Sequence, residues 1–333
     1  MTSTTLASTM QAWQQNSYGG PDQVERADIP VPTPGRGEVL LRVRATGLNA
    51  ADIHVMRGDP MLLRAAFGLS RPRASVRGMD VAGTIVAVGS DAARWAVGDE
   101  VVVELPGGGG LGPYAVAPVK RLVLRPAEVT ASAAATLPIA GGTAWQSLDR
   151  AGVTSGSRVL VIGASGGVGT FAVQLAALRG AEVWALCGER NHALVESLGA
   201  ARAIDRSTPL GELDAESFDH VIDIVGSSTL GDLRRLVRPG GSVVMVSGMG
   251  GRVLGPMPRI LGAALRSIGS RRPLRALAAV TKPEVLSELL RLTAEGSIRP
   301  VIEREFTFDQ ARDALAHVDA SHTVGKVVVR AAP

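Results

Sequence analysis

Seven residues, Gly163-Ala164-Ser165-Gly166-Gly167-Val168-Gly169, separate a short apolar run (Arg158 to Ile162) from a helical pattern that runs from about Gly167 to Leu178. Backbone N–H groups converge at a helix N-terminus, and glycines there let a phosphate approach the chain closely. Gly166, Gly167 and Gly169 supply that surface, and the last also permits tight helix-to-strand packing. Strand, turn and helix stand in the order that a dinucleotide pyrophosphate needs. Ser165, Gly166, Gly167 and Val168 are therefore its expected cradle, with a purely structural β-turn as the competing reading.

The residues further on bear on which dinucleotide it is. An NAD site places Asp or Glu about 20 residues downstream, at the end of the second strand, to take the ribose 2′-hydroxyl. Here the run EVWALC gives way to Gly188, followed by Glu189 and Arg190, and the next strand exits on Arg206. Guanidinium groups beside an uncharged strand end suit a 2′-phosphate, so NADPH is expected, held by Gly188, Arg190 and Arg206. Glu189 is the competing partner for a 2′-hydroxyl, and a plain surface role competes for both arginines. The exits of HVIDIVG and SVVMVSG add Val225 and Ser247 as cofactor-facing positions.

These residues need a scaffold. EVWALC, ARAID, HVIDIVG and SVVMVSG alternate with helix-length segments such as NHALVESLGA, which predicts a parallel, doubly wound sheet buried on both faces. From Val39 to Leu105 the chain instead changes between short Val-rich runs and Gly/Asp turns, as an irregular β-rich domain does. The apolar and basic stretch from Gly58 to Arg77 reads as a short helix or a lid. After residue 299 a strand, a helix and a final strand, GKVVV, leave the βα rhythm.

Composition narrows the class. A chain of 333 residues, 46% hydrophobic and 20% charged, fits a globular protein of two domains. The net charge is +4, but clusters such as Arg234/Arg235/Arg238 and Arg271/Arg272/Arg275 are short and lack interleaved aromatics, so nucleic acid is not an expected partner. The lone cysteine, Cys187, can build neither an intrachain disulfide nor a thiolate zinc cluster, and it points to the cytoplasm. The opening MTSTTLASTMQAW has no basic-then-apolar leader pattern, and no run is long enough to span a bilayer, so no membrane partner is expected.

The glycine turn, the upstream GGTAW, the phrases ATGLNAADIHVMRGD and GMDVAGTIVAVG, and the ending GKVVV together resemble the zinc-free quinone oxidoreductases of the medium-chain dehydrogenase/reductase superfamily. The resemblance implies a GroES-like β-rich catalytic domain from residues 1–129 and 299–333, and a Rossmann domain from 130–298, with the cofactor between them. Zinc-dependent members carry their catalytic ligands where this chain has Asn49-Ala50, Met79-Asp80 and Ile139, so no metal is expected. Hydride delivery to a quinone or an α,β-unsaturated carbonyl is the implied reaction. Asn49 and Thr143 are implied at the nicotinamide, and His322, Thr323 and Val324 at the turn before the last strand. Some relatives donate a proton from a tyrosine after the equivalent of Arg57-Gly58; here Asp59 and Pro60 follow, which makes His54 the first alternative donor. A tailoring reductase of a polyketide-like or aromatic intermediate, and a weakly catalytic NADPH-binding redox sensor or scaffold, are the competing functions. A homodimer is expected through an edge strand near Leu265 to Ser270, although Arg271, Arg272 and Pro273 follow directly.

Overall fold

The computed structural model describes residues 7–247, 250–320 and 323–331. A hairpin of β1 (Thr9–Gln15) and β2 (Val24–Pro30) leads into β3 (Glu38–Leu48), then α1 (Ala50–Arg57) and α2 (Arg64–Phe67). Strands β4 (Asp80–Val88), β5 (Glu100–Glu104), β6 (Tyr114–Pro118) and β7 (Val123–Leu124) follow. Helix α3 (Ala131–Ala134), a π-helical turn at Leu137–Gly141 and α4 (Gly142–Ala151) lead to the second half.

There the chain alternates β8 (Arg158–Ile162), α5 (Gly167–Leu178), β9 (Glu182–Cys187), α6 (His192–Ser197), β10 (Arg202–Asp205), β11 (Phe218–Asp223), α7 (Leu230–Leu236), β12 (Val237–Met245), α8 (Met257–Ser267) and β13 (Leu274–Ala276). It closes with α9 (Pro283–Ala294), β14 (Ile302–Thr307), α10 (Ala311–Asp319) and β15 (Lys326–Arg330).

Strands β8 to β13 form one parallel sheet in the order β10-β9-β8-β11-β12-β13, the order of a Rossmann fold. Inner residues such as Val159, Leu160, Val161, Val221 and Ile222 are apolar and buried because helices cover both faces. Helix α5 is buried from Gly169 to Ala176, which its apolar residues on every side allow. The chain leaves β8 toward β9 and β10 and later returns to β11 on the other flank, which opens a crevice beyond the ends of β8 and β11.

The second sheet has the order β14-β15-β3-β4-β5-β7, with β6 also on β3. Strand β15 runs antiparallel to β3, with Val327 opposite Leu48, so the tail completes the N-terminal sheet. Ala45, Ala82, Val102 and Val328 of this sheet belong to the same core cluster as Val159 and Phe171 of the other, so one apolar core runs through both halves.

Two expectations change. The segment from Leu265 to Ser270 is the last turn of α8 and the bend after it, and the edge strand is β13, only three residues long. Apolar residues at 257, 261 and 265 repeat at helical spacing, whereas three residues are too few to show a strand period. The stretch from Gly58 to Arg77 holds a 3-10 turn at Met61–Leu63 and the single-turn α2. Its backbone reaches across to the other half: Met61 N–H donates to Arg252 O at 2.8 Å and Leu62 N–H to Val253 O at 3.2 Å.

Candidate active site

The glycine turn lies at the C-terminal end of β8, and its glycines serve separate purposes. Gly163 has φ +85°, a region costly for a residue with Cβ. A Cβ on Gly169 would lie 2.1 Å from Gly163 O and 2.7 Å from the Ala164 backbone, so that position is closed by the turn itself. A Cβ on Gly166 would meet nothing nearer than Gly163 O at 3.5 Å, so its bare surface faces open space. Gly166 is the N-cap of α5 and has no capping side chain, which leaves first-turn N–H groups without intrahelical acceptors. Open space, free N–H groups and the positive end of a helix fit a pyrophosphate.

Around this turn opens a cavity of about 1050 Å³. It brings together Ser165, Gly166, Gly167 and Val168 of the turn, Gly188, Arg190 and Arg206 from the ends of β9 and β10, and Val225 after β11. Asn49, Thr323 and Val324 line it from the other half of the molecule. Thr143, buried on α4, and Ser247, exposed after β12, are not among its lining residues. His54 is also outside it, with its Nδ1 3.0 Å from Asp59 O at the exposed end of α1. His322 lies outside the described residues.

At the β9–β10 end, Arg190 and Arg206 are exposed, and among the described residues neither has a carboxylate partner. Asp205, a lining carboxylate that the sequence reading passed over, is already engaged. The Ser207 hydroxyl and the Ser207 N–H, the latter at 2.8 Å, hold its carboxyl below the usual range. Cys187 also lines the cavity, but burial pushes its thiol up to about 11, so it is no thiolate nucleophile.

The opposite end carries a buried charged pair. Lys326 opens β15 and Asp80 opens β4; both are buried, with Nζ 4.0 Å from Asp80 Oδ2. Lys326 Nζ donates to Asn49 Oδ1 at 2.5 Å and to Leu48 O at 2.8 Å. Asn49 Nδ2 donates to Asp80 Oδ2 at 3.0 Å and to Gly47 O at 3.2 Å, and Ile139 N–H also donates to Asp80 Oδ2 at 3.1 Å. The Asn49 amide is thus held on both sides by protein groups. Asp80 Oδ1 has no hydrogen-bond partner among the described residues.

Burial pushes the Asp80 carboxyl up to about 8 against the opposing pull of Lys326, and burial pushes the Lys326 ammonium down. The two shifts bring the groups' proton affinities closer together than in water. Lys326 also packs on the glycine turn: a Cβ on Gly167 would lie 3.1 Å from Lys326 Cδ. Gly325 N–H donates to Ser165 O at 2.8 Å, so the start of β15 is stitched to the turn.

Lys326 was visible within GKVVV without receiving a role. An ionisable residue opening an otherwise apolar strand was the available signal, and Asp80 before VAGTIVAV carries the same one.

With this geometry in place, comparison with known proteins gives the class. The family model described as alcohol dehydrogenase GroES-like domain matches residues 35–127, and the one described as zinc-binding dehydrogenase matches residues 198–329. The chloroplast envelope quinone oxidoreductase homolog of Arabidopsis thaliana is 36% identical over 96% of this chain and 98% of its own length. An NADPH-dependent alkenal/one oxidoreductase of the same plant is 31% identical over 97% of this chain and 80% of its own. The solved structure of the quinone oxidoreductase from Coxiella burnetii superposes with a TM-score of 0.84 at 27% identity, covering 97% and 99% of the two chains. The chain belongs to the medium-chain dehydrogenase/reductase superfamily, in the branch of quinone oxidoreductases and enone reductases.

Proposed function

We propose that this protein transfers a hydride from NADPH to a quinone or an α,β-unsaturated carbonyl without a metal, in the cytoplasm. The observation that carries the reading is one cavity lined by the glycine turn together with Asn49 and Lys326, with Asp80 buried behind them. Residues 1–129 with 299–333 and residues 130–298 are its two working domains. NADPH, bound by the turn, supplies the hydride and so the reducing electron pair.

Everything else falls to the chain's own residues. The free N–H groups at the start of α5 take the pyrophosphate, and Thr323 and Val324 border the same space from the opposite half. Lys326 and Asp80 keep a proton at the inner end, and Lys326 donates it toward the enolate or hydroquinone oxygen that forms on the acceptor. Asn49, locked between the two, fixes the ammonium's direction. His54 is replaced in this role because it is exposed and engaged with Asp59 O. A steady-state survey of quinones and enones for NADPH consumption tests the reading, and the absence of turnover with every acceptor would overturn it in favour of a redox sensor.

Metal independence rests on the same cluster. Asn49, Ala50, Met79 and Ile139 supply no thiolate, imidazole or carboxylate, and a buried ammonium already stands within 4.0 Å of Asp80. Activity is expected to survive prolonged chelation, with no zinc found by elemental analysis; one zinc per chain lost together with activity would refute it.

NADPH preference rests on Arg190 and Arg206 at the β9–β10 end, where Asp205 is engaged with Ser207 and Glu189, also lining the cavity, is the carboxylate that competes for a 2′-hydroxyl. A charge-assisted contact contributes about 1.5–3 kcal/mol, so Arg190→Ala or Arg206→Ala is expected to weaken NADPH by roughly one to two powers of ten and leave NADH unchanged. Titration of both cofactors checks it, and an unchanged ratio of dissociation constants for both variants would reassign the arginines.

Assembly as a homodimer is proposed through β13, the edge of the parallel sheet. Arg272, just before β13, is paired with Glu216, which lessens charge repulsion at that edge. Light scattering should give twice 34.4 kDa, and the single mass would exclude the dimer.

A further inference from the structure

Among the described residues no helix is long and apolar enough to cross a membrane. One face is nevertheless unlike the rest of the surface. Between Asp232 and Glu284 the sequence contains nine arginines and one lysine without a single carboxylate, and residues 60–79 contain four arginines, again without one. Within the first stretch, α8 sets Met257, Leu261 and Leu265 on one side, and Ile268 continues the line just beyond the helix. At spacings of four, four and three residues they form a single stripe, and they are 46% to 79% exposed. The opposite side of α8 turns inward, with Ala263 buried and Arg259 paired to the buried Asp223.

The stripe does not stop at the helix. Val253 and Leu254 are exposed just before α8, and the backbone bonds from Met61 and Leu62 to residues 252 and 253 bring two more exposed apolar side chains beside them. Arg252 and Arg266 flank this ridge. Both are exposed, and among the described residues neither has a carboxylate partner; Arg266 donates only to Gly262 O of its own helix.

An apolar ridge of this length needs a cover, and its charge selects the cover. Arg238, Arg259 and Arg272 of the stretch between Asp232 and Glu284 are paired with Asp219, Asp223 and Glu216. A second copy docked by two-fold symmetry on the ridge itself, away from β13, would still oppose Arg252 and Arg266 with their own counterparts. A nucleic acid would satisfy the arginines but leave the aliphatic ridge without a partner. An anionic lipid surface satisfies both, since aliphatic side chains enter the boundary of the acyl region while guanidinium groups meet lipid phosphates.

We propose that α8 together with residues 61–62 and 252–254 is a docking face for anionic phospholipid bilayers. The protein lies on the membrane by this face and does not cross it. This proposal departs from the sequence expectation of no membrane partner. Where the acceptor is a quinone with an apolar tail, a point that rests on the function proposed above, the face brings the enzyme to the phase in which that acceptor dissolves.

Co-sedimentation of the full chain with vesicles of phosphatidylcholine alone, or mixed equally with phosphatidylglycerol, tests the docking without any acceptor, so a failure of the oxidoreductase reading leaves it intact. Pelleting with the mixed vesicles at low salt, its loss at high salt, and little pelleting with phosphatidylcholine alone are expected. The double variant L261E/L265E should lose partitioning by at least about tenfold and keep NADPH oxidation with a water-soluble quinone. R266A alone should weaken partitioning about fivefold, in line with one cationic residue near an anionic surface. R252E/R266E, which removes no buried contact, gives the same readout should L261E/L265E fold poorly. No pelleting with mixed vesicles, or equal pelleting with both compositions, overturns the proposal. So does a halving of the native mass in L261E/L265E, which would make the ridge an interface between copies.

Discussion

Lys326→Met is expected to lower kcat for enone reduction by about 10²–10⁴-fold, the usual contribution of a positioned proton donor. Quinone reduction should fall less, because a hydroquinone monoanion forms without needing its proton in the same step. The NADPH dissociation constant should change by less than about tenfold, since most of that contact is proposed for α5 and the arginines. The variant should still fold: removing one partner of a buried pair strands the other, but Asp80, already pushed up to about 8, can keep its proton and become neutral. For the wild type, the required form is the Lys326 ammonium, which burial pushes down, so kcat/KM should fall with rising pH earlier than an unburied lysine would make it. Asp80→Asn takes away the charge that holds this ammonium up, so the alkaline fall should move to lower pH. Enone turnover by Lys326→Met within threefold of the wild type would dismiss the ammonium as donor.

The second large effect separates two glycines of one turn. Gly169→Ala must push Cβ against Gly163 O and the Ala164 backbone at 2.1–2.7 Å, and none of these atoms belongs to a flexible side chain. The turn has to open, and the expected result is a poorly folded chain that binds no NADPH. Gly166→Val meets no such backbone, so its thermal midpoint should match that of the wild type. Its methyl groups instead enter the space assigned to the pyrophosphate, and NADPH affinity should fall by about two powers of ten, or ~2.7 kcal/mol. Thermal melts and cofactor titrations of the two variants check this. Wild-type affinity in Gly166→Val would mean that the cofactor does not lie against that face.

Much of this arrangement was legible because it is written in local patterns. The run from Arg158 to Leu178 shows a strand, a turn and a helix in succession, and each is where the spacing predicts it. Strand-end residues such as Gly188, Arg190 and Arg206 line one cavity, because in a parallel sheet the ends of consecutive strands gather on one side. The pairing of Asp80 with Lys326 was not legible. These residues lie 246 positions apart and meet only because β15 inserts beside β3, a long-range pairing that no period reports. The edge strand was misplaced for the opposite reason: Leu265 belongs to a strong helical stripe, while β13 is too short to leave a pattern. Thr143 and Ser247 rested on resemblance and strand order alone, and neither lines the cavity.

Strand β15 also bears on how the molecule is made. All six strands of the parallel sheet are contained in residues 158–276, so that sheet can form while later segments are still being synthesised. The other sheet has to wait. Strands β6 and β15 share one edge of β3 end to end, and until β15 emerges, residues 45–48 of β3 present unpaired backbone groups. The same late strand delivers Lys326 to its pocket and ties Gly325 to Ser165. A nascent chain would therefore have a formed nucleotide-binding sheet before it has a proton donor, and catalytic competence would be its last folding event.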